Sequence, residues 1–189
     1  MSTTATPNGF TVRKHPSGQS RATAYTILTG YTSAIGYGDA VILNTDGSIT
    51  VGTANADTIG TFAGCEYTDV TGKPTTSKNW VASTTATNIT AYVYDDPENI
   101  FEVQVGASGS GYVQAAIGDQ ADLVAGTVNA TTGNSAQYLN ATLKGAGVQG
   151  QFRVVGFGTD GVYDATNNPF PTVLVKNARH QFVAVKVAI

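Results

Sequence analysis

Residues 39–51 read DAVILNTDGSITV, and this stretch decides the fold class. Two runs rich in Val, Ile and Thr flank the pair Asp46-Gly47, and these residue types favour strands. Asp-Gly between such runs is a strong hairpin signal, because a type I′ turn needs positive φ at both central residues. The stretch therefore predicts an antiparallel hairpin closed by a type I′ turn.

Similar runs recur on both sides of this hairpin about every 10 to 15 residues, with turn residues between them. We predict strands at 22–29, 59–67, 88–94, 99–105, 151–157, 172–176 and 182–189. Residues 69–79 are predicted to be a loop, and 113–124 either a short helix or a strand pair. In 99–105 the alternation places Phe101, Val103 and Val105 on one face. The pattern predicts an all-β fold, either a small β-barrel of the β-tulip kind or a jelly-roll-like sandwich.

The beginning of the chain has a different character. Residues 1–21 contain Pro7, Gly9, Pro16 and Gly18 with little apolar periodicity, and we predict an extended N-terminal arm. Residues 22–189 then form a β-rich body, which can be divided into subregions at about 22–105 and 112–189.

The composition excludes several classes of protein. Charged residues make up 12% of the 189 residues, against about 25% in an average soluble protein, so a coiled coil is excluded. The net charge of −3 argues against a nucleic-acid partner. The sequence contains neither a secretory signal nor a long apolar run, so we expect synthesis in the cytoplasm and no membrane partner.

The charges are unevenly distributed along the chain. Residues 39–122 contain eleven of the thirteen acidic residues and two bases, whereas 1–38 and 123–189 each carry a net charge of +3. Such a body could contact other copies or a charged partner through faces of opposite sign, or the distribution could be chance.

Two clusters of oxygen-bearing side chains are candidate sites. Asp95, Asp96 and Glu98 could act in acid–base chemistry or bind a hard cation, but Asp-Asp-Pro after a strand is typical of a turn. The segment 160–168 lacks the spacing of a Ca²⁺ loop and is interpreted as structural. The glycines of 106–111 lack the spacing of a phosphate-binding loop, so we expect a connector.

The remaining reactive residues offer no clear catalytic group. Cys65 is the single cysteine, so no intrachain disulfide can form, and we expect a buried thiol. His15 and His180 could in principle activate it, but His180 is predicted to lie at the surface or in an interface. We predict no catalytic residue, no metal site and no cofactor.

Several runs, taken in order, carry a resemblance to a known family. They are GDAVILNTDGSI (38–49), IGTFAGCEY (59–67), AYVYDDP (91–97), IFEVQ (100–104) and FRVVGF (152–157). The chain, from about residue 8 to the end, resembles the small head decoration, or cement, proteins of tailed bacteriophages, especially those of aquatic phages. These motifs are structural and include no catalytic residue.

The resemblance implies a structural virion protein on the outer surface of a capsid, with no enzyme activity and no cofactor. It implies a homotrimer at threefold positions that bridges neighbouring subunits of the major capsid protein. It also implies that residues 8–21 lie along the capsid, with Arg13, Lys14, His15 and Arg21 as the capsid contacts. Deletion of residues 1–20 is then expected to leave a folded protein that no longer binds heads.

A second function remains open at this stage. The nine tyrosines and the single tryptophan, Trp80, would also suit a carbohydrate- or receptor-binding β module of a phage surface or tail. For the tyrosines, a role in the core and on sheet surfaces is the alternative.

Overall fold

The computed structural model describes residues 4–106 and 108–183. It is all-β, with 40% strand and 2% helix, which confirms the predicted class. The helical part is one 3₁₀ turn at Gln114–Ala116, and in the described ranges no helix has the length and apolarity needed to cross a membrane. The strands are β1 (Thr11–Lys14), β2 (Thr23–Tyr25), β3 (Ala40–Leu43), β4 (Ile49–Val51), β5 (Gly60–Asp69), β6 (Pro74–Ser77), β7 (Ala86–Tyr94), β8 (Ile100–Gln104), β9 (Gln120–Ala121), β10 (Leu123–Val124), β11 (Tyr138–Leu139), β12 (Phe152–Phe157) and β13 (Thr172–Asn177).

The strands form two main antiparallel sheets. The first sheet has the order β2-β7-β5-β3-β4, with β6 added to β5, and the second has the order β1-β8-β13-β12-β9. Strands β10 and β11 form a separate two-stranded ribbon. Within the described residues no sheet closes into a barrel, and the arrangement is consistent with a sandwich.

The hairpin predicted at 39–51 is present, but its turn differs from the prediction. Strands β3 and β4 pair with Leu43 opposite Ile49. The Gly47 N–H donates to the Asn44 carbonyl at 3.0 Å, and Gly47 alone in the loop has positive φ, at 82°. This is a type I turn followed by a left-handed glycine, which is the usual form of a three-residue hairpin loop. The prediction of a type I′ turn was therefore wrong.

Each main sheet covers its own hydrophobic core. The first core contains Ile27, Ile35, Val41, Ile49, Ile59, Phe62, Cys65, Trp80, Ala86, Ala91 and Val93. The second contains Phe10, Ala40, Phe101, Val103, Val105, Tyr112, Ala121, Leu123, Leu139, Phe152, Val154, Val173 and Val175. Successive strand residues point to opposite faces, so β3 supplies one residue to each core. The chain passes from the first sheet to the second at 95–99, earlier than the expected division between 105 and 112.

The N-terminal segment, which was predicted to be an extended arm, contributes strand β1 to this body. Strand β1 pairs with β8, and Phe10 is only 1% exposed. The Phe10 ring stacks on Phe152 at 4.3 Å between centroids, and its N–H donates to the Gly38 carbonyl at 2.8 Å. The physical reason is the burial of Phe10, which outweighs the Pro and Gly residues around it.

Most of the other strand predictions are confirmed, including the inward face of 99–105, where Phe101, Val103 and Val105 are buried. Strand 22–29 shortens to three residues, and the predicted loop 69–79 contains β6, which pairs with β5. Segment 113–124 contains the 3₁₀ turn and two short strands, so both alternatives are partly realised. The predicted strand 182–189 lies mostly outside the described residues, which end at 183.

Amide side chains from the second half of the chain hold the two sheets together. Gln137 Oε1 accepts the Ala40 N–H at 2.8 Å, and its Nε2 donates to the Gly52 carbonyl at 3.2 Å. Gln151, Asn177 and Gln181 make similar bonds to the backbone of 43–58. Each amide satisfies peptide groups that no ladder pairs, so the junction is specified by hydrogen bonds as well as by apolar contact.

Asp39 is a buried carboxylate in this junction. It accepts the Gly36 N–H at 2.6 Å and the Ser135 hydroxyl at 2.5 Å. Burial raises the pKa of Asp39 to about 6 from 3.8, although both hydrogen bonds favour the ionised form. The folded protein therefore holds this proton more tightly than the unfolded chain does.

This difference predicts a pH dependence of stability. The contribution of the Asp39 proton is fully present below the unfolded pKa and is lost as the pH rises through the folded pKa. From about pH 4 to about pH 7, the free energy of unfolding of the wild type should fall by about 2 kcal/mol relative to Asp39→Asn. Urea denaturation of both proteins at the two pH values measures this difference. Parallel pH profiles would contradict the raised pKa.

Candidate binding surface

The four predicted contact residues lie on one continuous stretch of the chain. Arg13 and Lys14 end β1, His15 follows it, and Arg21 precedes β2. We call this set the basic surface. His15 and Arg21 line a cavity of about 430 Å³ together with Asp95 and Asp96.

Arg13 forms an ion pair within the body. Its Nε donates to the carboxylate of Glu102 on β8, the strand that pairs with β1. The Glu102 carboxylate is largely buried, so the guanidinium compensates its charge. Arg13 therefore holds β1 on the sheet, and it has less positive charge to offer to a partner than the sequence suggested.

His15 is also engaged. Its Nε2 lies 3.1 Å from Asp96 Oδ2, while its Nδ1 accepts the Ser17 N–H at 3.1 Å and faces the Ser17 hydroxyl at 2.6 Å. A serine, a histidine and a carboxylate in contact suggest a nucleophile and its base. Here, however, Nδ1 already accepts the Ser17 backbone N–H, so it is a poor acceptor for the hydroxyl proton. The contacts fix the turn after β1.

Lys14 and Arg21 are the cations that remain available on the basic surface. Both are exposed, and in the described part of the chain no ion pair or hydrogen bond engages either side chain. Strand β1 is also the outermost strand of its sheet, so one side of its backbone has no neighbouring strand among residues 4–106 and 108–183. Two exposed cations, one of them on this outer strand, are suited to an acidic protein surface.

Much of the uneven charge along the sequence is neutralised by ion pairs within the molecule. Bases from the two ends of the chain pair with acids of the middle in Arg13–Glu102, His15–Asp96, Lys144–Asp122, Lys176–Glu98 and Arg179–Asp57. These pairs place the ends of the chain on its acidic centre. The expected faces of opposite sign are therefore reduced by pairing within one copy.

The cluster of Asp95, Asp96 and Glu98 is a turn, as its sequence indicated. Asp96 Oδ1 accepts the Glu98 N–H at 2.8 Å, and this bond, followed by His15, holds the pKa of Asp96 below its ordinary value. Asp95 accepts the hydroxyl groups of Thr23 at 2.8 Å and Tyr25 at 2.7 Å. In the described ranges no group of three or more His, Cys, Asp or Glu could hold a metal ion.

The second oxygen-rich segment is structural in the same way. Asp164 accepts hydrogen bonds from the Asn167 side chain and from the N–H groups of Thr166 and Asn167, and these bonds lower the pKa of Asp164. Asn168 is buried and donates to carbonyl groups of 160–162. Both contacts stabilise the loop before β13.

Two other candidates are buried. Cys65 lies in the first core, and burial raises its pKa to about 12, so the thiol is neutral at physiological pH. His180 is buried, with Nε2 2.8 Å from the Asp95 carbonyl and Nδ1 accepting the Phe182 N–H at 3.2 Å. Of the predicted surface or interface position, the surface one is wrong, because His180 belongs to the segment that crosses to the first sheet.

Trp80 cannot serve as a stacking platform for a sugar in this structure. Its side chain is fully buried and meets Tyr67 edge-on at 5.6 Å between centroids. Tyr112 is buried as well, and the other tyrosines are partly buried. The aromatic residues therefore serve mainly the core and the sheet surfaces, which was the alternative interpretation.

The sequence pointed to Lys14 and Arg21 as exposed cations, and the structure leaves both available. The sequence did not indicate that Gln137 and Gln151 would be buried at the junction between the two sheets, because isolated glutamines form no periodic pattern. Comparison of the chain with protein-family models, with curated proteins and with solved structures finds no match.

Proposed function

We propose that this chain is a structural virion protein that decorates the outside of a phage capsid and bridges neighbouring capsid subunits as a homotrimer. The observation that carries the proposal is the basic surface, where Lys14 at the end of β1 and Arg21 before β2 are both exposed. In this proposal the partner is the acidic outer face of the major capsid protein.

The construction of the body is compatible with a role outside the cell's reducing interior. Its single cysteine is buried and unpaired, so stability comes from two cores and from the buried amide junction rather than from disulfides. A fold of this kind keeps its structure in any redox environment. A protein that stabilises a particle in open water needs this property.

The position of the basic surface also supports a rigid contact. Strand β1 is paired with β8 and anchored by Phe10. Lys14 is therefore presented by an ordered strand, and less conformational entropy is lost on binding than with a flexible arm. Bridging of subunits benefits from such a preformed surface.

Charge reversal on this surface tests the proposal. Lys14→Glu/Arg21→Glu should weaken binding to capsid shells by about tenfold or more, since each reversed contact costs about 1 kcal/mol or more. Lys73→Glu/Lys78→Glu is the matched control, because it changes the net charge equally at exposed positions outside the basic surface. Co-sedimentation over a protein titration gives both affinities. Equal binding of the two variants would exclude the basic surface as the contact.

A further inference from the structure

A lysine, a carboxylate and an amide side chain meet beside the junction between the two sheets. Lys144 Nζ lies 2.5 Å from Asp122 Oδ2 and donates to Asn55 Oδ1 at 3.4 Å. Asp122 is 5% exposed and the Lys144 side chain is 28% exposed, so this ion pair is largely withdrawn from water. A nucleophile, a proton acceptor and an amide carbonyl group therefore converge on one nitrogen atom.

Gln151 fixes the positions of the two groups that flank this lysine. Its backbone N–H donates to Asp122 Oδ1 at 3.1 Å. Its Nε2 donates to the carbonyls of Thr53 and Ala56 at 2.9 and 2.6 Å, and these residues lie on either side of Asn55. One side chain of the junction thus holds both the carboxylate and the turn that carries the amide, so their proximity is set by the fold.

The amide of Asn55 is accessible to a nucleophile. Its backbone φ is 64°, in the left-handed region that asparagine tolerates in turns, and the residue is exposed. The amide carbon lies one bond beyond the oxygen that Lys144 already contacts. Rotation of the Asn55 side chain can therefore bring this carbon to about 3 Å from Nζ, the separation of a near-attack geometry.

We propose that Lys144 and Asn55 become joined by an amide bond, with Asp122 as the proton acceptor. Asp122 takes a proton from the Lys144 ammonium group, and the lone pair freed on Nζ attacks the amide carbon of Asn55. The Nζ–Cγ bond forms, and the bond from Cγ to the amide nitrogen breaks. Of the three ammonium protons, one stays on the new amide and two pass through Asp122 to the leaving nitrogen, which departs as ammonium. The Asp122 carboxylate is regenerated, and the balance needs no oxidant or co-reactant.

The bond would connect the first sheet covalently to the rest of the body. Residue 55 follows β4, and residue 144 follows the ribbon of β10 and β11. The bond would close a long loop of chain, and such closure lowers the entropy of the unfolded state. The chain has a single cysteine and therefore forms no internal disulfide. An amide bond would supply a link that reduction does not break.

Intact-mass spectrometry of the denatured full chain tests this proposal. The wild type should be lighter than its sequence mass by about 17 Da, because the reaction releases one ammonia. Lys144→Arg keeps a positive charge beside Asp122 but cannot form the bond, so this variant should have its full sequence mass. Asn55→Ala should also have its full mass. Asn88→Ala is the matched control, since it changes another exposed asparagine of positive φ and should leave the deficit in place.

Trypsin digestion locates the bond. Trypsin does not cleave after a bonded Lys144, and the peptide that contains Lys144 should stay joined to the one that contains Asn55. A wild type of full sequence mass would overturn the proposal. A deficit that persists in Lys144→Arg would also overturn it, because it would show a cyclic imide on an asparagine. So would a deficit of about 18 Da, which is the loss of water expected from a bond between Lys144 and Asp122. Capsid binding is measured separately, so failure here leaves the proposed function to its own test.

Discussion

Replacing Phe10 by alanine should lower the free energy of unfolding by about 4 kcal/mol, the usual cost of emptying a buried phenylalanine site. The ring is 1% exposed and stacks on Phe152 at 4.3 Å. The truncation removes this contact and leaves a cavity in the second core. Chemical denaturation at constant temperature gives the value directly.

Val70→Ala is the control for this change. Val70 is 77% exposed, so its truncation should alter stability by less than about 0.5 kcal/mol. A similarly small effect of Phe10→Ala would mean that the N-terminal segment is a detached arm. Deletion of residues 1–20 would remove β1 and Phe10 together. We therefore expect this deletion to damage the fold, and no longer expect it to leave a folded protein.

Gln151→Leu should lower the free energy of unfolding by about 3 kcal/mol, because it leaves buried peptide groups without partners. Gln151 Nε2 donates to the carbonyls of Thr53 and Ala56 at 2.9 and 2.6 Å. Its Oε1 accepts the Leu123 N–H at 3.0 Å. Leucine has a similar size and can form none of these three bonds.

Gln114→Leu provides the matched substitution at an exposed position of the 3₁₀ turn. It should change stability by less than about 0.5 kcal/mol. If the two leucine variants unfold at the same denaturant concentration, the amide junction contributes nothing to stability. Amide hydrogen exchange of Leu123 offers an independent check, since its N–H should lose protection in Gln151→Leu.

The alternating and β-branched runs were sufficient to predict the all-β class and most strands, because strand formation here follows local propensity and one-sided burial. The pairing of the segment before residue 22 with β8 could not be predicted from the sequence, for a physical reason. Phe10 and Val12 alternate with Thr11 and Arg13 over too few residues to give a recognisable strand pattern. Tertiary packing, above all the burial of Phe10, places the segment on the sheet. The type of turn at Gly47 could not be predicted either, because Asp-Gly occurs in hairpin loops of more than one length.

The candidate surface was only partly predictable. Lys14 and Arg21 were recognised as basic residues near the N-terminus, but the use of Arg13 and His15 in pairs with Glu102 and Asp96 depends on sheet pairing, which the sequence does not display. The burial of His180 has the same origin. Charges distant in sequence become partners only once β1 and the C-terminal segment are placed.

The proposal that this protein decorates a capsid is tested most directly by co-sedimenting the unmodified protein with intact capsid shells of a phage whose genome carries this sequence. The account predicts saturable binding to the outside of the shells, at a fixed ratio of one homotrimer for each threefold position occupied. Absence of binding to intact shells across the titration would contradict it.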